Sequence, residues 1–205
     1  MSLLKFEEIK KELFDITFCS NIQNYKAHKR CIEKDKNECI KNEYESLQKH
    51  SRLVFEYFLR LVKENNIEDY LNKLFCNSAS LLDNVSKKNE FANFIRYLFA
   101  KAIYWHDIGK INPNFQIEKM DNESFSKISL SDGSNHSLLS AFLYINHSLD
   151  ELYSKKWDED EIEIIESVIY IFGYIITKHH GVIYNFNDLH FNDDLEQFLK
   201  YFCIQ

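Results

Sequence analysis

The stretch AIYWHDIGKINPNFQ, residues 102 to 116, places a histidine and an aspartate side by side at the end of an apolar helical segment. A buried helix end normally avoids adjacent ionisable groups, because an unpaired charge away from water is strongly unfavourable. Gly109 and Lys110 follow at once. We interpret Gly109 as the residue that ends the helix in a left-handed conformation, which puts Lys110 on the loop beyond it. His106 and Asp107 therefore require a compensating charge from elsewhere in the chain.

The composition around this stretch is that of a helical protein. The chain has 205 residues, 45% of them hydrophobic, with only four glycines and one proline. Such scarce helix breakers favour long helices with short polar connections, so we predict an all-α fold. The length and the hydrophobic content predict a single domain over residues 1–205. The net charge of -7 gives no general attraction for nucleic acid, so a polyanionic substrate would depend on a local patch, bound cations or a partner.

Cysteine spacing and hydropathy indicate the cellular location. The five cysteines are widely spaced and contain no C-x-x-C pair, which predicts reduced thiols and gives no support to a thiolate zinc site. No apolar run approaches the length of a membrane span, and the N-terminal sequence MSLLKFEEIKKELF is charged and helical in character, unlike a signal peptide. We therefore expect a cytoplasmic protein that has no membrane partner.

Five segments have the 3.6-residue period of amphipathic helices, namely residues 43–63, 90–107, 134–149, 158–180 and 189–202. The first four carry a histidine in or at the end of the apolar stripe; these are His50, His106, His136 with His147, and the pair His179 and His180. In the first segment the predicted stripe consists of Leu47, His50, Val54, Phe58 and Leu61. Apolar stripes converge where helices pack, so these imidazoles are predicted to meet inside the bundle. Residues 20–44 are lysine-rich with little periodicity, and we interpret them as a surface loop or a weak helix.

A cluster of imidazoles around a carboxylate predicts a metal site. This donor set suits transition metals such as Mn, Fe, Ni or Co better than Mg or Ca, which prefer sites made of oxygen. Asp107 is the natural bridge, because its two oxygens can bind two cations roughly 3.5–4 Å apart, the separation that two-metal phosphoryl chemistry uses. The cations would supply the charge that His106 and Asp107 need, and would lower the pKa of a bound water toward about 7.

Several other polar side chains near these segments could belong to the site or be ordinary surface and core residues. Lys110 can contact a phosphate oxygen, or it is an ordinary exposed lysine. His28 and His190 are interpreted as ordinary histidines, and so is His147, which lies about 16 Å along the helix from His136. The remaining set, Lys26, Lys29 and Arg30 with Tyr25 nearby, could form a basic and aromatic DNA surface, but a solvated loop is the favoured interpretation.

The order of these residues resembles a known family. HDIGK, the helix-starting histidine of SNHSLLSAFLY and the final KHHG together resemble the HD-domain nuclease of type I CRISPR interference, over His50 to Gly181. The resemblance implies an HD-domain helical bundle with a metal site between core helices. It implies one metal on His50, His106 and Asp107, a second on Asp107, His136, His179 and His180, and Lys110 near the scissile phosphate.

The resemblance also implies a reaction and partners. The family cleaves phosphodiester bonds of DNA, chiefly single-stranded, through a transition-metal pair that activates water, in CRISPR antiviral defence. Its members are fused to or partnered with a helicase and act with a CRISPR surveillance complex. The family pattern ends in a further aspartate on a late helix, whereas Asp188, Asp193 and Asp194 lie close behind the histidine pair. Either one of them substitutes, or the first site is incomplete and one metal binds, or, as we expect, the chain is an N-terminal excerpt of a longer protein.

Two other functions compete with this interpretation. An HD phosphohydrolase that acts on nucleotides or cyclic dinucleotides shares the metal chemistry, but it needs a closed pocket, whereas a nuclease needs an open groove. A helical docking module that keeps the metal for stability, without turnover, is the third possibility.

Overall fold

The computed structural model describes residues 3–16, 21–36, 38–80, 87–127 and 134–180. Within these ranges the helices are α1 (Phe6–Asp15), α2 (Leu47–Glu64), α3 (Glu68–Ala79), α4 (Lys88–Trp105), α5 (Pro113–Glu118), α6 (His136–Tyr153) and α7 (Glu159–Lys178). Strands β1 (Lys26–Asp35) and β2 (Glu38–Ser46) pair antiparallel, and 3-10 turns lie at Ile22–Asn24 and Ile108–Ile111. The fold is therefore mostly helical, as predicted, and the predicted segment 189–202 lies outside the described residues.

The hairpin of β1 and β2 corrects both the all-α prediction and the interpretation of residues 20–44 as a loop or weak helix. Ala27 is the only buried residue of β1, and β2 has none. An exposed hairpin of this kind is held by its backbone ladder and by cross-strand pairs such as Arg30 with Glu43. It therefore lacks the alternation of apolar residues by which a half-buried strand is found in a sequence.

The same hairpin corrects the prediction of reduced thiols. Cys31 on β1 and Cys39 on β2 form a disulfide, with their Cα atoms 5.8 Å apart. The two residues are eight positions apart in the chain, and only strand pairing makes them neighbours. Cys76 is a free, exposed thiol, whereas Cys19 and Cys203 lie outside the described residues.

The central helix is α4, which packs against α1, α2, α3, α6 and α7. It buries residues on all sides, and Phe91, Leu98 and Ala100 are completely inaccessible. The chain leaves this core at Trp105, which is also buried, so the residues that follow are delivered to the inside of the bundle. No helix among the described residues is long and apolar enough to cross a membrane.

The buried face of α2 differs from the predicted stripe. The helix begins at Leu47, because the preceding residues belong to β2, and it buries Leu47, Ser51, Phe55, Leu59 and Val62. Leu61 of the predicted stripe is 56% exposed. Apolar residues occupy two neighbouring stripes of this helix. The periodicity therefore fits two rotations of the helix about its axis, which differ by about one residue. His50 nevertheless remains on the inner edge, with its side chain 13% exposed.

Helices α6 and α7 form an antiparallel pair joined by a short connection. Tyr153 at the end of α6 contacts Glu166 in the first half of α7, whereas His136 at the start of α6 contacts His180 just beyond α7. Asp158 and Glu161 form a capping box that fixes where α7 begins. The pair therefore brings the first residue of α6 and the last residues of α7 to one end of the bundle.

A buried polar cluster joins α4 to α6. The ammonium group of Lys101 is completely buried and donates to Glu151 Oε2 at 2.8 Å and to His147 Nδ1 at 2.7 Å. Tyr97 donates to the other oxygen of Glu151 at 2.8 Å. Burial lowers the pKa of Lys101 to about 8, and the charge of Glu151 offsets only part of this effect. His147 thus has partners of its own, in keeping with its interpretation as an ordinary histidine.

The lowered pKa of Lys101 predicts a pH dependence of stability. The unfolded chain holds this proton up to the ordinary pKa of 10.5, whereas the folded protein releases it near 8. The unfolded state therefore binds more protons between these values, and the free energy of unfolding should rise with pH, by about 1.5 kcal/mol between pH 8 and roughly 9.5. Urea denaturation across this range should show the rise in the wild type and in Lys73→Met, an exposed control. The same slope in Lys101→Met would contradict the assignment.

Candidate metal centre

The end of α4 delivers Asp107 to the interior of the bundle. The helix stops at Trp105, His106 caps it, and Asp107 precedes the 3-10 turn Ile108–Ile111. This tighter turn redirects the chain while the side chain of Asp107 stays 3% exposed. Three other elements deliver histidines to the same place: α2 supplies His50, α6 begins with His136, and α7 is followed by His179 and His180.

Gly109 has a different role from the one predicted. It lies within the 3-10 turn, and its φ is outside the left-handed region, so it does not end a helix in that conformation. The turn instead packs directly on α6. A Cβ on Gly109 would clash with the carbonyl oxygen of His136 and would lie 2.5 Å from the backbone nitrogen of Ser140. The Gly109 N–H donates to Ser140 Oγ at 2.8 Å, and this close approach sets His136 beside Asp107.

The two oxygens of Asp107 face two different groups of side chains. Oδ1 lies 3.1, 3.2 and 3.8 Å from the Nε2 atoms of His179, His136 and His180 respectively. Oδ2 lies 3.0 and 3.4 Å from the Nε2 atoms of His50 and His106, and 2.8 Å from Lys110 Nζ. We call Asp107 and these five histidines the histidine cluster. The structure thus brings together every residue that the sequence predicted for the site.

Hydrogen bonds on the outer side of the rings determine which nitrogen faces Asp107. The Nδ1 atoms of His106 and His179 donate to the carbonyl oxygens of Ile103 and Ile176, at 2.9 and 2.5 Å. His50 Nδ1 donates to Glu45 Oε2 at 3.2 Å. Carbonyl and carboxylate oxygens only accept, so Nδ1 carries the proton in each ring. The Nε2 atoms are therefore oriented as metal-ligating imidazoles are, with their outer nitrogen held by the protein.

The cluster fits a divalent cation on physical grounds. His50 Nε2 is buried and makes no hydrogen bond among the described residues, although it lies 3.0 Å from Asp107 Oδ2. A nitrogen lone pair and a carboxylate oxygen at this distance repel each other unless a proton or a cation lies between them. Burial raises the pKa of Asp107, but protons on the facing Nε2 atoms of His106, His136 and His179 would outweigh burial and hold the pKa well below its ordinary range. Asp107 is thus a carboxylate, and the donor set suits a transition metal.

Lys110 is buried, so its interpretation as an ordinary exposed lysine is wrong. Its side chain is 3% exposed, and its Nζ lies 2.8 Å from Asp107 Oδ2 and donates to the carbonyl oxygen of Ala27 at 3.1 Å. It therefore neutralises Asp107 on one side and ties β1 to the 3-10 turn.

His28, which the sequence interpretation set aside, also lies at the cluster. One candidate group of metal-binding atoms comprises Asp107, His136, His179 and His180, and another comprises His28, His50 and Asp107; within each, the ligand atoms lie within 4.8 Å of one another. Burial lowers the pKa of His28, and the charge of Lys110 lowers it further. Sequence patterns could not find His28, because the strand that positions it was not predicted. His190, Asp188, Asp193 and Asp194 lie outside the described residues.

A groove of about 610 Å³ opens beside the cluster, between the hairpin and the start of α6. It is bordered by His28, Lys29, Lys110, Phe115, Lys119, His136 and His180, among others. None of the described residues that line it is acidic. The groove is therefore a local basic surface on a protein of net charge -7.

A helical bundle with a histidine–aspartate pair at the end of its central helix, joined by histidines from three other helices, defines the HD class of metal-dependent hydrolases. The family model described as "Cas3, HD domain" matches residues 33–199, which is most of the chain. The protein belongs to this family, and it is a CRISPR-associated HD nuclease domain in the general sense. No curated protein and no solved structure matches the chain.

Proposed function

We propose that this protein cleaves phosphodiester bonds of single-stranded DNA in type I CRISPR interference, a form of antiviral defence. The observation that carries the proposal is the open basic groove beside Asp107. Lys29, Lys110 and Lys119 line it; Lys29 and Lys110 are paired with Asp121 and Asp107, whereas no ion pair is found for Lys119 among the described residues. A DNA backbone carries one negative charge per nucleotide and binds where such charges are met by lysine or arginine. The net charge of -7 gives no general attraction for DNA, and the groove supplies the local positive charge that DNA binding requires.

The side chains that line the groove include Phe115. Its ring centroid lies 4.8 Å from that of His136, but the side chain is only 5% exposed, so it packs against the cluster and offers little surface to a base. Single-stranded nucleic acid is bound by grooves that combine positive charge with aromatic rings on which bases stack. The predicted basic surface contributes less, because Lys29 pairs with Asp121 and Lys26 lies over the Tyr44 ring.

The ligand assignment is part of the proposal. His50, His106 and Asp107 would hold one divalent cation, and Asp107, His136, His179 and His180 a second, with Mn, Fe, Ni or Co as the metal. When bound, such cations stabilise the charge of the reacting phosphate and lower the pKa of water. Glu45 and the carbonyl groups of Ile103 and Ile176 orient the rings. Lys110 orients Asp107 and supplies positive charge to a phosphate in the groove.

The partners follow from the family. Residues 1–205 would act as a single HD domain next to a helicase, present in the same chain or as a separate subunit. A CRISPR surveillance complex would supply the DNA strand. A CRISPR effector works inside the cell, so we propose a cytoplasmic location on the basis of the family.

The alternative substrate is a nucleotide or a cyclic dinucleotide. The volume of the groove, about 610 Å³, lies within the range of small-molecule pockets and is the observation that favours this alternative. The direct test compares manganese- or nickel-dependent cleavage of single-stranded DNA with hydrolysis of nucleotides and cyclic dinucleotides by the same preparation. We expect cleavage of DNA. Turnover of the small substrates alone would overturn the proposal, and metal binding with no turnover at all would favour the docking module.

A charge reversal in the groove separates the two substrates further. Lys119 is exposed and lines the groove, so Lys119→Glu should slow DNA cleavage by about tenfold or more at low salt. Hydrolysis of bis(p-nitrophenyl) phosphate, a small phosphodiester, should not change. Lys73→Glu reverses an exposed charge on α3, which does not line the groove, and serves as the matched control.

A further inference from the structure

We propose that His28 is an additional ligand of the cation held by His50 and Asp107, so that the hairpin completes the first metal site of the helical bundle. The inference rests on the proposed metal-dependent function and extends it to a residue outside the helices. It assigns the β1 strand a direct part in metal binding.

The position of His28 over the cluster is fixed by its neighbours in β1. Gln116, which is completely buried, accepts from the Lys26 N–H at 2.9 Å and donates to the Lys26 carbonyl at 2.8 Å. Lys110 donates to the carbonyl of Ala27, whose side chain is also buried. Residues 26 and 27 are thus bound to the segment that follows Asp107. His28 comes next in the strand, so it cannot move far from the cluster without breaking these bonds.

The imidazole of His28 lies where a further ligand is needed. Its ring centroid is 4.4 Å from that of His50, in an edge-to-face arrangement. One nitrogen of His28 lies within 4.8 Å of both a His50 nitrogen and an Asp107 oxygen. Ligands of one metal ion in tetrahedral geometry are separated by about 3–4 Å, since each lies 2.0–2.2 Å from the ion. A small adjustment of the rings therefore brings all three atoms to one cation.

A structural irregularity coincides with this residue. The ladder of β1 and β2 is interrupted between Lys26 and His28, where the register shifts. Such bulges re-aim a side chain relative to a regular strand, and they occur next to functional sites. Here the irregularity accompanies His28, an exposed residue whose ring lies beside that of His50.

The test measures metal binding, independently of activity. Protein stripped of metal would be titrated with Mn²⁺ in equilibrium dialysis, and the visible spectrum of the Co²⁺-loaded form would report the ligands. The variant His28→Gln keeps the size of the side chain but removes the imidazole, and His28→Glu restores a ligand of similar reach. His147→Gln removes a histidine that contacts Lys101 and Glu151, and it is the matched control. Circular dichroism would verify the fold of each variant.

We expect His28→Gln to weaken the binding of one Mn²⁺ by more than about tenfold and to alter the Co²⁺ spectrum. Loss of a residue that only supports a ligand already weakens metal binding by about tenfold, and loss of a ligand should cost more. His28→Glu should recover most of the affinity, and His147→Gln should match the wild type. Unchanged Mn²⁺ affinity and an unchanged Co²⁺ spectrum in His28→Gln would overturn the role of His28 alone. A folded His28→Glu that behaves as His28→Gln would do the same. A wild type that binds no metal would overturn the proposed function as well.

Discussion

Replacing Asp107 with asparagine is expected to abolish metal-dependent DNA cleavage and to remove most of the bound metal. The amide keeps the shape of the side chain but loses the negative charge and one of the two oxygens, each of which faces its own group of imidazoles. Stabilisation of the reacting phosphate by bound cations contributes several kcal/mol, so the rate should fall by about a thousandfold or more. Cleavage of labelled single-stranded DNA and elemental analysis of the same samples measure both effects.

The matched control for this change is Asp150→Asn, which replaces an exposed carboxylate on α6. It should keep the activity and the metal content of the wild type. Full metal content in Asp107→Asn would contradict the bridging role of Asp107. Circular dichroism would show whether Asp107→Asn is folded, so that loss of metal from a folded variant is distinguished from loss of metal through unfolding.

The substitution Gly109→Ala is expected to have the second large effect. The added Cβ would meet the backbone of α6 at His136 and Ser140, and backbone atoms cannot rotate away as a flexible side chain can. The 3-10 turn and α6 would have to separate, and overpacking of this kind lowers the free energy of unfolding by about 3 kcal/mol or more. The separation would also draw His136 away from Asp107. Urea denaturation and Mn²⁺ titration should therefore both register the change.

Ser140→Ala provides the comparison for Gly109→Ala. It removes the hydroxyl that accepts from the Gly109 N–H but adds no atoms, so it should lower stability by about 1–3 kcal/mol, the cost of a buried N–H without an acceptor, and leave metal binding intact. Equal stability of Gly109→Ala and the wild type would show that the turn and α6 are not held as closely as described.

Much of the helical framework could be predicted from the sequence. Helices α4, α6 and α7 have apolar residues at helical spacing, and their packing follows from burying those faces. A histidine at the inner end of such a face must approach the others, which is why His106, His136, His179 and His180 were predicted to converge. The convergence around Asp107 is now seen in the structure, whereas the roles of these residues as ligands stay predictions.

The parts that escaped prediction depend on contacts between distant segments. The hairpin is largely exposed and is held by backbone hydrogen bonds, so the types of its residues carry little signal. His28 therefore looked ordinary, and the Cys31–Cys39 pair was missed with it. Gly109 was identified as important for the wrong reason, because only the position of α6 shows what a side chain there would meet.

The most direct test of the histidine cluster is a crystal structure of Mn²⁺-loaded protein with anomalous scattering data collected near the manganese absorption edge. We predict anomalous peaks about 2.0–2.3 Å from the oxygens of Asp107, one bordered by His136 and His179 and the other by His50 and His106. A map in which manganese binds elsewhere, while the Nε2 atoms of these histidines donate hydrogen bonds directly to Asp107, would contradict a metal centre at this site.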